Sequence, residues 1–199
     1  MTPRTPEQFE NIRLDKKALI MTTALELFAN NGYHSTSISD IAKKAGISKG
    51  LLYNYFISKE ELITEILAQG IDSMADFFDP NNDGVLTEEE MESFIRNIFE
   101  FLRKDAQYWK LYYAVFLQPS VYALIEKKYI DLLSGFVEIL TNYFKAHGSK
   151  DPMKEALLFG ALMDGVGINY VMNPSLFPLD DLTEMILEKF CYLKKSGLL

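Results

Sequence analysis

A chain of 199 residues with 48% hydrophobic, 13% aromatic and 24% charged residues is long and apolar enough to bury a core, as one domain or two small ones, which excludes a solvated, disordered segment. The net charge of -8 is unevenly spread: residues 1–60 hold eight Lys/Arg against six Asp/Glu, residues 61–199 twelve against twenty-two, so the N-terminal part alone suits a polyanion. A single cysteine, Cys191, and two histidines, His34 and His147, exclude an internal disulfide and a zinc site of the usual Cys/His kind, and with them most metal-hydrolase and thiol-enzyme chemistries.

The chain opens on Arg4, Glu7, Glu10 and Arg13 without an apolar run, so no secretory signal is read and a cytoplasmic location is expected. Ile20, Ala24, Leu27 and Phe28 recur at the spacing of one buried helical face, and Gly32 ends that helix. Ser37, with Asp40 three residues on, caps a short second helix that buries Ile41, Ala42 and Ala45. Gly46 breaks the chain, Ser48 recaps it, and a third helix through Phe56 turns Leu52 and Phe56 inward while Lys49, Gly50, Tyr53 and Asn54 point outward. Two helices joined by three or four residues that include a glycine make a helix-turn-helix. Ser58 with Glu61 opens a fourth helix running to about Phe77.

Amphipathic segments are then expected at 88–104, 106–118, 120–146, 153–171 and 179–195, separated by Pro119, Gly148 with Pro152, and Pro174 with Pro178. The most apolar stretch, 156–172, is interrupted by Asp164 and is too short for a bilayer span. Strand alternation is nowhere sustained. The predicted fold class is all-α, with a helix-turn-helix unit over 1–62 and a larger helical body over 63–199.

A helix enters the major groove only where its outward side chains are short or flat and its base is anchored to phosphates. Amides at the starts of the second and third helices and the hydroxyls of Thr36, Ser37 and Ser48 are candidate phosphate donors, flanked by Tyr55 and Lys59. Lys49 adds charge, Gly50 lets the backbone come close, Leu51 suits a thymine methyl, and Tyr53 and Asn54 suit base edges. The run Ala24-Leu25-Glu26-Leu27-Phe28, then Gly32-Tyr33, Ile41-Ala42-Lys43-Lys44-Ala45-Gly46-Ile47-Ser48-Lys49-Gly50, Tyr53-Asn54-Tyr55-Phe56 and Ser58-Lys59-Glu60-Glu61-Leu62 closely resembles the TetR (tetracycline-repressor-like) regulators. The resemblance is detailed over residues 14–67 and rests beyond them on length and helical character. It implies a homodimer of all-α subunits of about nine helices, a recognition helix at Ser48–Tyr55, a pseudo-palindromic operator in double-stranded DNA, and a body that holds a small-molecule inducer. Leu51 departs from the family, which more often places a small or polar residue there.

The stretch Asp79 to Glu90 matches the twelve-position calcium loop of an EF-hand, which that resemblance does not imply. Asp79, Asn81 and Asp83, the Val85 carbonyl, Thr87 and bidentate Glu90 offer the oxygens calcium needs, and Gly84 permits the sharp turn. Ile71, Met74, Ala75 and Phe78 before it and Met91, Phe94, Ile95 and Ile98 after it have the apolar spacing of paired helices. Without a second loop to brace it, a dissociation constant from about micromolar to millimolar is expected. The ion either locks this helix pair or biases the tilt of the fourth helix.

In the body, Trp109, Tyr112, Tyr113, Phe116, Tyr143, Met163 and Tyr170 are the candidate lining of a cavity for an apolar or aromatic effector, with plain core packing as the other reading of each. Gly160, Ala161, Gly165 and Gly167, with the stripe Leu182, Met185, Ile186, Phe190 and Leu193, suit a four-helix dimer interface. The functional reading is therefore a ligand-responsive DNA-binding regulator, a repressor, carrying a calcium site. The alternative is a calcium-binding sensor or buffer with a non-DNA partner. An enzyme is not expected, because neither histidine has a nucleophile beside it in the sequence.

Overall fold

The computed structural model describes residues 5–75 and 77–192, apart from the side chains of Met74 and Lys128. Among these residues the chain forms nine helices and no strand: α1 Pro6–Asn31, α2 Ile38–Lys44, α3 Lys49–Tyr53, α4 Lys59–Ala75, α5 Glu88–Lys104, α6 Ala106–Phe116, α7 Pro119–Ala146, α8 Pro152–Met172 and α9 Leu179–Phe190. The Met74 side chain, Leu193 and the expected extension of the last helix to residue 195 lie outside the described residues.

Capping chemistry explains most boundaries. At the start of α1 the Thr5 hydroxyl accepts from the Gln8 amide at 3.3 Å, the Gln8 carboxamide accepts from the Thr5 amide at 3.0 Å, and Pro6 fills the first helical position. Gly32 ends the helix with φ 85°, a conformation open to glycine, and its amide donates to the Phe28 carbonyl at 3.0 Å. Ser37 and Asp40 form the expected reciprocal box at α2, as Thr87 and Glu90 do at α5. The helix predicted to run from Ser48 through Phe56 is regular only to Tyr53, after which the Tyr55 and Phe56 amides both return to the Leu52 carbonyl in a tight turn.

The chain divides into two compact units. The first takes residues up to Gln69 together with Leu111–Ile125, so it includes α4 as far as Gln69 and the corner between α6 and α7. Its buried side chains include Ile20, Phe28, Ile41, Leu52, Phe56, Leu62 and Ile66, with Tyr112, Val115 and Val121 from the corner. The second unit, Gly70–Lys110 with residues from Glu126 onward, packs α5 against α8 and α9. Phe78 meets Phe94 and Phe136 at ring-centroid distances of 5.1 and 4.6 Å, and Phe159 meets Phe190 at 5.1 Å, giving this unit an aromatic interior.

Candidate nucleic-acid interface

α1, α2 and α3 form the helix-turn-helix unit, with α2 packed on both α1 and α3. Leu52 and Phe56 are fully buried, which fixes the roll of α3 and turns its other side out: Leu51 is 37% and Tyr53 43% exposed, and Lys49, Gly50 and Asn54 are exposed as well. Ser48 caps this helix through the Leu51 amide at 3.1 Å, and the Lys49 ammonium stands 5.8 Å from the Tyr53 ring centroid. A Cβ placed on Gly50 would meet no atom within 4 Å, so no neighbour inside the protein requires glycine there. The result is a short helix whose outer face carries a cation, a bare backbone patch, an aromatic ring and an amide.

Two residues expected to touch phosphate are engaged within the protein instead. The Thr36 hydroxyl donates to the Leu27 and Gly32 carbonyls at 3.2 and 3.0 Å and is buried. The Lys59 ammonium donates to the Tyr33 and Thr36 carbonyls at 2.9 and 3.0 Å and, more weakly, to that of His34 at 3.4 Å, and it lies 4.4 Å from the Tyr33 ring centroid. Tyr33 in turn donates to Glu60 at 3.1 Å; burial and this bond push its hydroxyl above the ordinary value. Ser37 remains exposed, though its hydroxyl donates to Asp40 at 2.6 Å, and Tyr55 is half-buried.

The loop between α4 and α5 is ordered by its own side chains. Asn82 and Gly84 adopt φ of 56° and 74°, and amides of Gly84, Asp83 and Val85 donate to Asp79, Asn81 and Asp83 at 3.0, 3.0 and 2.8 Å. The expected calcium ligands Asp83 and Glu90 come within hydrogen-bond reach of a third, Asn81, but as acceptors to its donor. Asn81 presents its amide nitrogen, not its oxygen, to the carboxylates of Asp83 and Glu90, each at 3.1 Å, while the other Glu90 oxygen caps Thr87, and the Val85 side chain is exposed. Among the described residues no group of three or more His, Cys, Asp or Glu side chains is arranged to hold a metal ion.

The candidate effector residues are dispersed. Tyr112, Tyr113 and Phe116 belong to the first unit, where the Tyr112 hydroxyl donates to the Leu67 carbonyl at 2.8 Å. Trp109 is buried beside Phe101, and Tyr143 donates to Glu88 at 2.8 Å and to the Phe190 carbonyl at 3.0 Å. His147, beside it, faces Glu88 at 2.9 Å and the Tyr143 carbonyl at 2.8 Å. Met163 is buried, and Tyr170 borders a cleft of about 300 Å³ that Arg103, Phe177 and Asp180 also line. Of the expected interface stripe, Ile186, Phe190 and Gly167 are buried within the chain; the large apolar side chains these helices expose are Met153, Leu157, Leu158 and Met172 on α8 and Met185 on α9. No helix among the described residues is long and apolar enough to cross a membrane.

Residues 20–66, which hold this unit from the buried face of α1 to α4, match the family model of bacterial regulatory proteins of the tetR family. The chain is 55% identical over 53 residues to the HTH-type transcriptional regulator YuxN of Bacillus subtilis, a match that covers 27% of this chain and 18% of that protein. It is 25% identical over 178 residues to the fatty acid metabolism regulator protein of Bacillus subtilis, covering 85% of this chain and 90% of that one. The crystal structure of the transcriptional regulator FadR from Bacillus subtilis in complex with stearoyl-CoA superimposes with a TM-score of 0.63 at 25% identity, covering 87% and 97% of the two chains. Residues 20–66 are therefore similar to the N-terminal segment of bacterial regulatory proteins of the tetR family, and the chain shares an all-helical fold with FadR of Bacillus subtilis.

Proposed function

We propose that the protein is a ligand-responsive transcriptional repressor that binds a pseudo-palindromic operator as a homodimer. The observation that carries this is the outer face of α3, where Lys49, Gly50, Leu51, Tyr53 and Asn54 stand exposed above the buried anchors Leu52 and Phe56. Ser37, Ser48 and Tyr55 border that face and serve phosphate oxygens; Thr36 and Lys59 contribute by shaping the corner. Leu157, Leu158 and Met185 support a dimer face on α8 and α9.

A long-chain acyl thioester is the proposed effector, on the support of the fatty-acid regulators to which this chain is similar and of the apolar, aromatic interior of the second unit. Trp109, Tyr143, Met163 and Tyr170, which belong to that unit, are its proposed contacts. The test selects duplexes from random-sequence DNA and measures their retention: Lys49→Ala and Tyr53→Ala should each weaken it by about 1–3 kcal/mol, and unchanged retention in both removes the reading.

For the loop at 79–90, we infer a second role in holding calcium. Its support is the left-handed pair Asn82 and Gly84, and the bonds that orient the side chains of Asp79, Asn81 and Asp83. Binding would require Asn81 to turn its amide and Glu90 to release Thr87. Calorimetric titration decides: the chain should bind calcium with a dissociation constant of about a millimolar or tighter and lose it on Glu90→Gln, whereas no heat at that concentration removes the role.

A further inference from the structure

α6 and α7 both continue into the second unit, yet the corner that joins them packs with the first. At that corner the Gln118 carboxamide grips the end of α1. Its oxygen accepts from the Tyr33 amide at 3.0 Å, and its nitrogen donates to the Phe28 carbonyl at 3.1 Å and the Ala114 carbonyl at 3.3 Å. The orientation is unambiguous, because a reversed amide would set its oxygen against two carbonyls and its nitrogen against an N–H. The Phe28 carbonyl also takes the Gly32 amide that closes α1, so Gln118 joins the helix terminus itself.

Residues 32–36, which lead directly into the Ser37 cap of α2, are thus held from two sides: by Lys59 at the start of α4 and by Gln118 at the corner of α6 and α7. The two grips differ in strength. Lys59 makes charge-assisted bonds and lies over the Tyr33 ring, whereas Gln118 is a half-buried neutral amide whose bonds are roughly half as strong, so it is the grip that yields first.

We infer that Gln118 is the positioning residue that couples the state of the second unit to the seating of α2 and α3 on DNA. This rests on the proposal that α3 reads DNA and the second unit takes the effector. Its bonds to Phe28 and Tyr33 differ between the high-affinity and low-affinity states, and that difference is the coupling free energy. Because α6 continues from the Gln118 corner back to Trp109, the chain's single tryptophan reports on it.

The test uses the full chain, the duplex it selects, and stearoyl-CoA as the effector probe. Saturating DNA should change Trp109 emission in the wild type. Gln118→Leu should bind the same duplex within about threefold but lose more than half of that change, and more than half of the stearoyl-CoA effect on affinity on a logarithmic scale. Should the leucine variant fail to fold, Gln118→Glu, which keeps the acceptor for Tyr33 and loses both donors, is read for the same losses. A wild-type emission that ignores DNA, or a folded variant that retains the full response, overturns the inference. Stearoyl-CoA that neither binds nor shifts the wild type counts against the effector reading alone, since the emission change still decides on Gln118. A wild type that retains no duplex overturns both.

Discussion

Gly50 lies inside a five-residue helix, where glycine costs about 0.5–1 kcal/mol relative to alanine, yet its surroundings leave open space for a side chain. A residue that weakens its own helix and spares no neighbour a clash is explained by what approaches from outside. Gly50→Ala is therefore expected to raise stability in urea by about 0.5–1 kcal/mol while lowering DNA retention; a variant that gains stability and binds DNA as before contradicts close backbone approach. Asp40 tests the cap of α2. Hydrogen bonds from the Ser37 hydroxyl and amide hold its carboxyl below the ordinary aspartate value of 3.8. With the folded value depressed, the stability it adds is present above pH 3.8 and is lost as pH falls through the lower folded value. Carboxyl chemical shifts followed by NMR should place its midpoint below 3.8, and in Ser37→Ala the midpoint should move up toward it.

At the scale of elements, the α5–α9 contact sets burial against charge. Ile95 is fully buried on α5, while Arg96 pairs with Glu92 and Glu184 and Arg103 with Asp180 and Glu100 at the exposed rim. Ile95→Ala should cost about 2–5 kcal/mol through a cavity that the rigid helices cannot close. Arg96→Ala should cost less than about 1 kcal/mol, because its partners stay solvated. Chemical denaturation of both variants checks the ordering, and equal losses would point to a rim that carries the packing. Element limits were legible where caps and breakers stand in the sequence: Ser37 with Asp40 and Gly32 for the first helices, Pro119, Pro152 and Pro178 for the later ones. The Thr5-Pro6-Glu7-Gln8 box marks the start of α1 just as clearly, although the apolar face of that helix begins only at Ile20.

For the whole molecule, the dimer face proposed on α8 and α9 carries the operator's symmetry. Leu158→Arg should shift sedimentation from dimer to monomer and lower operator affinity about tenfold or more; a dimer that survives moves the interface elsewhere. The outward positions of α3 were readable from sequence because helical period and the two anchors, Leu52 and Phe56, set them locally. The fates of Thr36 and Lys59 were not, since their carbonyl partners exist only once α1 has ended and α4 has folded back beside residues 33–36. Nor was the stripe on α9, because amphipathicity shows that a face is covered and not by what: Ile186 and Phe190 are covered by the chain's own helices.

Sequence by itself determined the helical class, the helix-turn-helix and the outward face of its third helix, since these follow from period, capping and breakers within a few residues of one another. Only the tertiary structure decided that the α6–α7 corner packs with the helix-turn-helix unit, that Gln118 and Lys59 hold the end of α1, and that Asn81 faces its carboxylate neighbours as a donor. Hydrogen-bond partners 23 to 90 residues apart along the chain leave no periodic trace, and they are chosen by whichever polar groups folding brings within reach.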